Sequence, residues 1–375
     1  MAGTFANMDP LGIQKKYKDP KLAKQATIQI KKLADQKNQT YRFMHVCGTH
    51  EYTITHAGLR DFLPSNVEVV AGPGCPVCVT PPEDVALAIE VAKRPRTLLT
   101  TFGDMMRVPA GDLGSLNVAR SQGANVQVVY SMMDAVEAAR RHPDLEVVHF
   151  AIGFETTTPP TAVELLGDPP SNFSVIVSHR LIPPAQEFLL ESGEVGLDGF
   201  ILPGHVSVVI GLRPYVPISE KWKVPQVVAG FEPLDVLLGL VMLLTQLVEG
   251  RAEVENEYTR VVKEEGNVLA QEMIARVLEP VDARWRGIGL IPGSGLALKS
   301  KFSSFDACKR FDLKLQPQKF EMPPGCKCGE VLRGVMGPEE CPLFGNKCTP
   351  EQPIGPCMVS TEGTCAVVYG ARKIN

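Results

Sequence analysis

Short β-branched runs recur along most of this chain at intervals of roughly 20–30 residues. Helix-compatible segments lie between them, for example residues 82–93, 132–141 and 185–191. This alternation predicts βα units, whose strands pair in parallel because each helical crossover returns the chain to the same end of the sheet. The predicted strands are residues 41–46, 67–71, 97–101, 126–130, 147–152, 173–178, 200–202 and 226–229.

The eight predicted strands divide into two sets of four, with a boundary near residue 145. The sequence VVAGPG at the second strand is echoed by VVAGFEP at the eighth, which favours an internal duplication. Helices over 234–249 and 258–277 are expected to brace the two halves, and the charged stretches EVENEYTR (253–260) and KEEG (263–266) are interpreted as solvated faces rather than as binding signals. The predicted units are an N-terminal helical extension (1–38), a first α/β domain (39–145), a second α/β domain (146–233), a helical bracing region (234–320) and a cysteine-rich tail (321–375).

Composition and charge exclude several classes of protein. The net charge is −4 and lysines and arginines are scattered, so a nucleic-acid partner is not expected. The N-terminus has no apolar core of a signal peptide, and the longest apolar stretch, residues 236–248, is too short to span a bilayer. We therefore expect a cytoplasmic protein without a membrane partner, in which the ten cysteines serve as metal ligands or redox thiols.

Reactive side chains follow most of the predicted strands. In open α/β sheets, ligands bind beyond the carboxyl ends of the strands, so these positions predict a functional site. Asp104, Glu155, His205 and Glu232 are predicted to be supporting residues that orient a bound anion or ligand, although acids and histidines at strand ends also serve as helix caps and turn stabilisers. The residues are Cys47, His50, Cys75, Cys78, Asp104, Glu155, His205 and Glu232.

Cys47 precedes a helix that is predicted to begin near Thr49. A helix N-terminus and the nearby His50 are expected to lower the thiol pKa and to favour the thiolate, which is the metal-binding and nucleophilic form. The alternatives are a buried structural cysteine and an interior histidine.

Cys75 and Cys78 have the C-x-x-C spacing of a reversible disulfide or of two thiolates on one metal. Their Gly-Pro loop is expected to expose both sulfurs. A structural zinc site is the alternative, but it requires two further ligands, and the sequence has no second C-x-x-C and no H-x-x-x-H.

Six cysteines crowd into the tail, a segment interrupted by proline and glycine. Cys326, Cys341, Cys348 and Cys365 are separated by 14, 6 and 16 residues. Four thiolates from a loop-rich segment suit a [4Fe-4S] cluster, although the spacing leaves zinc open and does not decide which four cysteines bind. Cys328 and Cys357 lie just inside this set, and Cys308 is interpreted as an ordinary helix residue.

These motifs together resemble the HypD family of hydrogenase-maturation factors, in order and over nearly the whole chain. The motifs are CGTHE (47–51), GPGCPVC (72–78), FGDMMRVP (102–109), GFETTTP (153–159), PGHVS (203–207), GFEP (230–233) and the cysteine tail. The resemblance implies two similar α/β domains facing a cleft, with a C-terminal [4Fe-4S] domain. It further implies a scaffold for the Fe(CN)2CO group of [NiFe] hydrogenases that works with HypC, receives cyanide from HypE and serves the hydrogenase large subunit indirectly.

Carried over by position, the resemblance assigns iron binding to Cys47 and a redox dithiol to Cys75 and Cys78, which also lie near the iron. It assigns the cluster to the four spaced tail cysteines, with Cys328 and Cys357 as alternates or as a disulfide pair. A redox-active assembly scaffold is favoured over a multiple-turnover enzyme. The alternatives are a catalytic iron–sulfur dithiol–disulfide oxidoreductase and a zinc-stapled α/β binding protein.

Overall fold

The computed structural model describes residues 17–314 and 322–372. Its strands are β1 (Tyr41–His45), β2 (Val67–Ala71), β3 (Thr97–Thr101), β4 (Val126–Val128), β5 (Glu146–Gly153), β6 (Phe173–His179), β7 (Gly199–Pro203), β8 (Gln226–Ala229), β9 (Val254–Asn256), β10 (Leu278–Trp285) and β11 (Gly289–Leu298). No helix in these described residues is long and apolar enough to cross a membrane.

Helices alternate with most of these strands and cover the sheets. The helices are α1 (Pro20–Ala34), α2 (Gly48–His56), α3 (Leu59–Phe62), α4 (Pro76–Val79), α5 (Pro82–Ala92), α6 (Leu116–Ser121), α7 (Met132–Arg141), α8 (Thr158–Leu166), α9 (Ile182–Ser192), α10 (Gly204–Ile210), α11 (Val216–Trp222), α12 (Pro233–Glu249), α13 (Val268–Val277), α14 (Ala307–Arg310), α15 (Cys328–Leu332) and α16 (Thr364–Arg372). The predicted N-terminal extension contains α1, whereas residues 1–16 of that prediction lie outside the described residues.

Strands β1–β9 form two sheets, and all of the pairs within these two sheets are parallel. The first sheet has the order β2-β1-β7-β8-β9, and the second has the order β4-β3-β5-β6. Strand β7 is buried at every residue because helices cover both faces of the sheet, which explains its apolar run GFILP. The predicted α/β fold with two parallel sheets is confirmed.

The predicted consecutive grouping of strands, with a boundary near residue 145, is wrong. Residues 39–145 contribute β1 and β2 to the first sheet and β3 and β4 to the second, and residues 146–233 likewise supply both sheets. The βα rhythm fixes parallel pairing but does not determine which strands are neighbours. That choice depends on long-range packing: β7 lies beside β1 with Gly199 opposite Phe43, where an added Cβ would be only 3.0 Å from the phenyl ring.

The region after α12 also differs from the prediction. Helix α12 is present, but only Val268–Val277 of the second predicted helix is helical. Residues Val254–Asn256, interpreted from the sequence as a solvated face, extend the first sheet as an edge strand. An antiparallel hairpin, β10–β11, follows α13, and the tail contains α15 and α16 where little regular structure was expected.

The tail packs into the molecule. The largest apolar core lies between the two sheets and contains Cys75 and Cys78 together with Trp285 of β10 and four buried tail cysteines. Two smaller cores lie on the outer faces: α1 and α12 cover the first sheet, and α7, α8 and α13 cover the second. The sulfur-bearing segments of the chain therefore meet in one interior region.

Two buried histidines in the second sheet predict acid sensitivity. Burial lowers the pKa of His149 to about 4 and that of His179 to about 3 from an ordinary value of 6.5. Both histidines are neutral in the folded protein, so their contribution to the free energy of unfolding is fully present above pH 6.5. It is lost as the pH falls toward their folded-state pKa values, because the unfolded chain then binds more protons than the folded one. We expect the free energy of unfolding in denaturant to fall by about 2–4 kcal/mol between pH 7 and pH 5.

The control for this prediction is His142, an exposed histidine after α7. His149→Gln should flatten the pH dependence, because it removes one of the depressed pKa values, whereas His142→Gln should leave it unchanged. An equal pH dependence in wild type and His149→Gln would contradict the assignment.

Candidate metal and thiol site

A cavity of about 600 Å³ lies where the carboxyl ends of strands from both sheets meet. Cys47 follows β1, Pro76 follows β2, and His205 follows β7, so the cavity collects the loops that the sequence singled out. The second sheet contributes Phe154 and Thr156 from the loop after β5, and the tail contributes Glu362. The arrangement agrees with the expectation that ligands bind at the strand ends.

Cys47 is the residue directly before α2, and it is 9% exposed. The backbone N–H groups of His50 and Thr49 favour the thiolate form and lower the pKa, as expected at a helix N-terminus. Burial nevertheless outweighs these donors and raises the pKa of Cys47 to about 11. The prediction of a lowered pKa is therefore wrong, and a metal that binds here must displace the thiol proton.

His50 is completely buried and holds the loop after β8. Its Nε2–H donates to the carbonyl oxygens of Gly230 at 2.9 Å and Ala229 at 3.2 Å. Burial and the nearby His45 lower the pKa of His50 to about 3, so the ring is neutral and brings no positive charge to Cys47. The structure thus agrees with the interior-histidine interpretation.

Cys75 and Cys78 form a disulfide at the start of α4. Both are buried, at 3% and 0% exposure, so the expected exposure of the two sulfurs is wrong. Pro76 starts a helical turn that carries Cys78 inward beneath the Gly-Pro loop. The Gly48 N–H donates to the Gly74 carbonyl at 3.0 Å, which ties the loop of the dithiol to the loop of Cys47.

Gly74 permits this close approach, because a Cβ at this position would overlap the backbone nitrogen of Cys47. We expect Gly74→Ala to lower the free energy of unfolding by about 1–3 kcal/mol and to displace the Cys47 loop. Denaturant unfolding measures this loss, and iron bound per chain reports the displacement. Gly196→Ala is the matched control, since no atom lies within 4 Å of its added Cβ; equal losses in the two variants would contradict the account.

The four predicted supporting residues occupy different environments. His205 lines the cavity and packs against Phe231, with ring centroids 4.0 Å apart. Asp104 lies after β3, and its negative charge contributes to the raised pKa of Glu362. Glu232 precedes α12 and pairs with Lys18 at 3.5 Å, in agreement with the helix-cap interpretation.

Glu155 is buried beside the cavity-lining residues Phe154 and Thr156. Its Oε1 accepts a hydrogen bond from the Ile182 N–H at 2.9 Å, and Oε2 has no hydrogen-bond partner. Burial raises the pKa of Glu155 to about 7, so this carboxyl group titrates close to neutral pH. Of the four supporting residues, Glu155 is the one held in the interior of the protein.

Sequence reasoning missed Glu362. Its backbone lies against Gly48, and its Oε1 accepts a hydrogen bond of 3.4 Å from the Thr49 hydroxyl. Burial raises the pKa of this carboxyl group. No local pattern identifies Glu362, because it reaches Cys47 through a contact between segments 313 residues apart.

The tail cysteines form a sulfur-rich cluster. The neighbouring thiol of Cys328 raises the pKa of Cys326, and the thiols of Cys328 and Cys365 raise the pKa of Cys357. Cys348 Sγ accepts backbone N–H groups from Ile354, at 3.3 Å, and Gly355. Cys341 lies on a partly exposed turn, and its carbonyl oxygen accepts a hydrogen bond of 3.0 Å from the Phe344 N–H.

Gly355 provides the space for two of these sulfurs, because an added Cβ would lie 2.5 Å from Cys328 Sγ and 2.6 Å from Cys326 Sγ. Across residues 17–314 and 322–372, no three His, Cys, Asp or Glu side chains converge as ligands of a metal ion. An iron–sulfur cube separates its ligating sulfurs more widely than a single ion does. The cysteine-rich tail, with a backbone N–H that donates to Cys348 Sγ, is compatible with an iron–sulfur cluster.

The dithiol and the sulfur-rich cluster of the tail are adjacent. Cys78 Sγ lies 3.8 Å from the carbonyl oxygen of Pro356, the residue before Cys357. Arg286, at the tip of the β10–β11 hairpin, is buried beside the same cysteines, and burial lowers its pKa to about 10. The tail cysteines thus lie next to the Cys75–Cys78 disulfide, which in turn lies next to the loop of Cys47.

Such an interior belongs to an α/β protein rich in buried cysteines, and comparisons with known proteins show the family to which it is similar. The family model described as HypD, hydrogenase formation hypA family, matches residues 21–372. A putative hydrogenase expression/formation protein of Methanocaldococcus jannaschii is 48% identical over 95% of this chain and 99% of its own length. Hydrogenase maturation factors HypD of Cupriavidus necator and Azotobacter vinelandii are each 46% identical over 94% of this chain and 95% of their own lengths.

The chain therefore belongs to the HypD family of hydrogenase-maturation factors. The resemblance seen in the motifs is confirmed over nearly the whole chain.

Proposed function

We propose that this chain is the scaffold on which the Fe(CN)2CO group of [NiFe] hydrogenases is assembled. The observation that carries the proposal is the position of Cys47, a free thiol on a cavity whose neighbouring loop bears the Cys75–Cys78 disulfide. Cyanide and carbon monoxide favour electron-rich iron, and a soft thiolate supports that state.

Cys47 would bind the iron cargo as a thiolate after loss of its proton. The N–H groups of Thr49 and His50 stabilise negative charge on the sulfur, and the carboxylate of Glu362 is positioned to interact with the incoming cation. The cavity of about 600 Å³ has room for a small metal group and for a side chain supplied by a partner. We assign that partner as HypC, with a second sulfur ligand, and HypE as the cyanide donor.

The Cys75–Cys78 disulfide would serve the redox steps beside the cargo. Its reduction consumes two electrons and two protons and yields two thiols, which are then free to approach the iron. The tail residues Cys326, Cys341, Cys348 and Cys365 would hold a [4Fe-4S] cluster, which supplies one-electron chemistry when bound. Cys328 and Cys357 remain alternates or a disulfide pair.

The accessibility of the dithiol favours a scaffold over the alternative, a dithiol–disulfide oxidoreductase with a protein substrate. Cys78 is fully buried and Cys75 is 3% exposed, so a large substrate has no direct access to either sulfur. Finished groups would pass to the hydrogenase large subunit in the cytoplasm through HypC, one transfer per encounter.

Complementation of a strain that lacks its own HypD-family gene tests the proposal. We expect wild-type protein to restore hydrogenase activity and Cys47→Ala to restore none, because the iron loses its thiolate. Cys308→Ala is the matched control, since it removes a cysteine remote from the cavity lining and should complement fully. Full complementation by Cys47→Ala would reject the scaffold and favour the oxidoreductase.

A further inference from the structure

The tip of the β10–β11 hairpin is wedged between the two sulfur-bearing helices. The Arg286 backbone N–H donates to the carbonyl of Val79, the residue after Cys78, at 2.8 Å. On the other side, Gly287 lies against Gly329, where an added Cβ would be 2.6 Å from the neighbouring Cα. The Trp285 indole N–H donates to the Ser294 hydroxyl at 2.8 Å and anchors the hairpin in the core. Arg286 is thus fixed between the dithiol helix and Cys328.

The side chain of Arg286 is buried, with 5% of the residue exposed. Its Nη2 donates to the Pro109 carbonyl at 3.0 Å, whereas its buried Nε has no hydrogen-bond partner. Within the described part of the chain, this guanidinium forms no ion pair with a carboxylate. The carboxylate of Glu83 raises the pKa of Arg286 through its charge, but its ion pair is with Arg284, whose Nε lies 3.6 Å from Glu83 Oε1.

Cys328, Cys357 and Cys326 also raise the pKa of Arg286, as nearby groups that can carry negative charge do. A buried cation is costly unless an opposite charge or hydrogen-bond acceptors compensate it. Besides the Pro109 carbonyl and the charge of Glu83, the described residues offer compensation from the tail sulfurs, and thiolates bound to an iron–sulfur cluster carry negative charge. The Arg286 Nε–H, which has no partner, is the type of group that donates a hydrogen bond to such sulfurs.

We propose that Arg286 is the buried counter-cation of the tail cluster and that it sets the reduction potential of that cluster. Arg286 is a positioning residue, which acts through charge and a hydrogen bond to sulfur rather than on the cargo. The inference rests on the proposed function, since it requires the cluster in the tail. A fixed cation stabilises the more negative, reduced state, so it raises the potential toward a value at which electrons are accepted from a donor.

The test is a potentiometric titration, followed by electron paramagnetic resonance, of anaerobically purified protein. We expect Arg286→Gln to shift the cluster to a more negative potential by about 59 mV, which is a tenfold change in the ratio of reduced to oxidised cluster for a one-electron couple. Arg286→Lys, which keeps the charge, should retain most of the wild-type potential. Arg284→Gln is the matched control: it removes an equal charge from the same hairpin, but the Arg284 side chain is 64% exposed, so the variant should leave the potential unchanged.

An unchanged potential in Arg286→Gln, with wild-type iron and sulfide content, would overturn the inference and leave the proposed function intact. Wild-type protein without iron and sulfide would overturn both. If Arg286→Gln does not fold, pulsed paramagnetic resonance of reduced wild-type protein labelled with ¹⁵N in the arginine guanidinium gives the answer. A nitrogen coupling to the cluster supports the inference, and its absence rejects it.

Discussion

Cys78→Ser should abolish hydrogenase maturation while leaving the iron and sulfide content of the tail at the wild-type level. The serine hydroxyl is nearly isosteric with the thiol, but it can form neither the disulfide with Cys75 nor a thiolate beside Cys47. Because the proposed redox steps require that pair, the expected loss of hydrogenase activity in complemented cells is at least about 100-fold. Metal analysis of the purified variant measures the second half of the prediction.

Cys308→Ser is the matched control, since Cys308 is a free, partly buried cysteine on α14. It should lower neither maturation nor metal content. Maturation by Cys78→Ser at the wild-type level would contradict the assigned role of the dithiol. Loss of the tail metal in Cys78→Ser would show instead that the dithiol region holds the tail together.

Glu51→Gln should cause the largest loss of stability among single substitutions near the site. The Glu51 side chain is fully buried, accepts two hydrogen bonds of 2.8 Å from Arg60, and accepts a third of 2.7 Å from His45. Removing its charge leaves the Arg60 guanidinium uncompensated. The expected loss in the free energy of unfolding is about 3 kcal/mol, toward the lower end for a buried pair because the Arg60 side chain is 37% exposed.

The control for Glu51 is Glu68→Gln on the neighbouring strand β2, where the Arg42–Glu68 pair is exposed and should contribute about 0–1 kcal/mol. Arg60 and His45 hold the pKa of Glu51 well below its ordinary value of 4.5 despite burial. Its stabilising contribution is therefore present above pH 4.5 and is lost as the pH falls through the folded pKa. A Glu51→Gln variant as stable as Glu68→Gln at pH 7 would contradict this account.

The sequence predicted those parts of the fold that depend on local patterns. Strands β2 and β3 were located to the residue, because their apolar runs are bounded by turn residues. Sheet membership was not predicted, because the pairing of β1 with β7 joins segments more than 150 residues apart. Edge strand β9 was not predicted, because its residues are only partly buried and the charged residues around it indicated a solvated face.

The candidate site shows the same division between local and long-range effects. The sequence located Cys47, Cys75 and Cys78 at strand ends, where they line or border one cavity. It gave the wrong direction for the pKa of Cys47, because a helix N-terminus is a local feature whereas burial is produced by distant segments. Glu362 and Arg286 were missed for the same reason, since each reaches the sulfur groups only through the folded arrangement of the tail and the hairpin.

Infrared spectroscopy of the anaerobically purified chain, co-expressed with HypC, tests the central claim most directly. The wild-type complex and Cys308→Ala should show cyanide and carbonyl stretching bands, and Cys47→Ala should show none while it keeps the iron and sulfide of the tail. Bands of equal intensity in Cys47→Ala would contradict the claim that Cys47 holds the Fe(CN)2CO group.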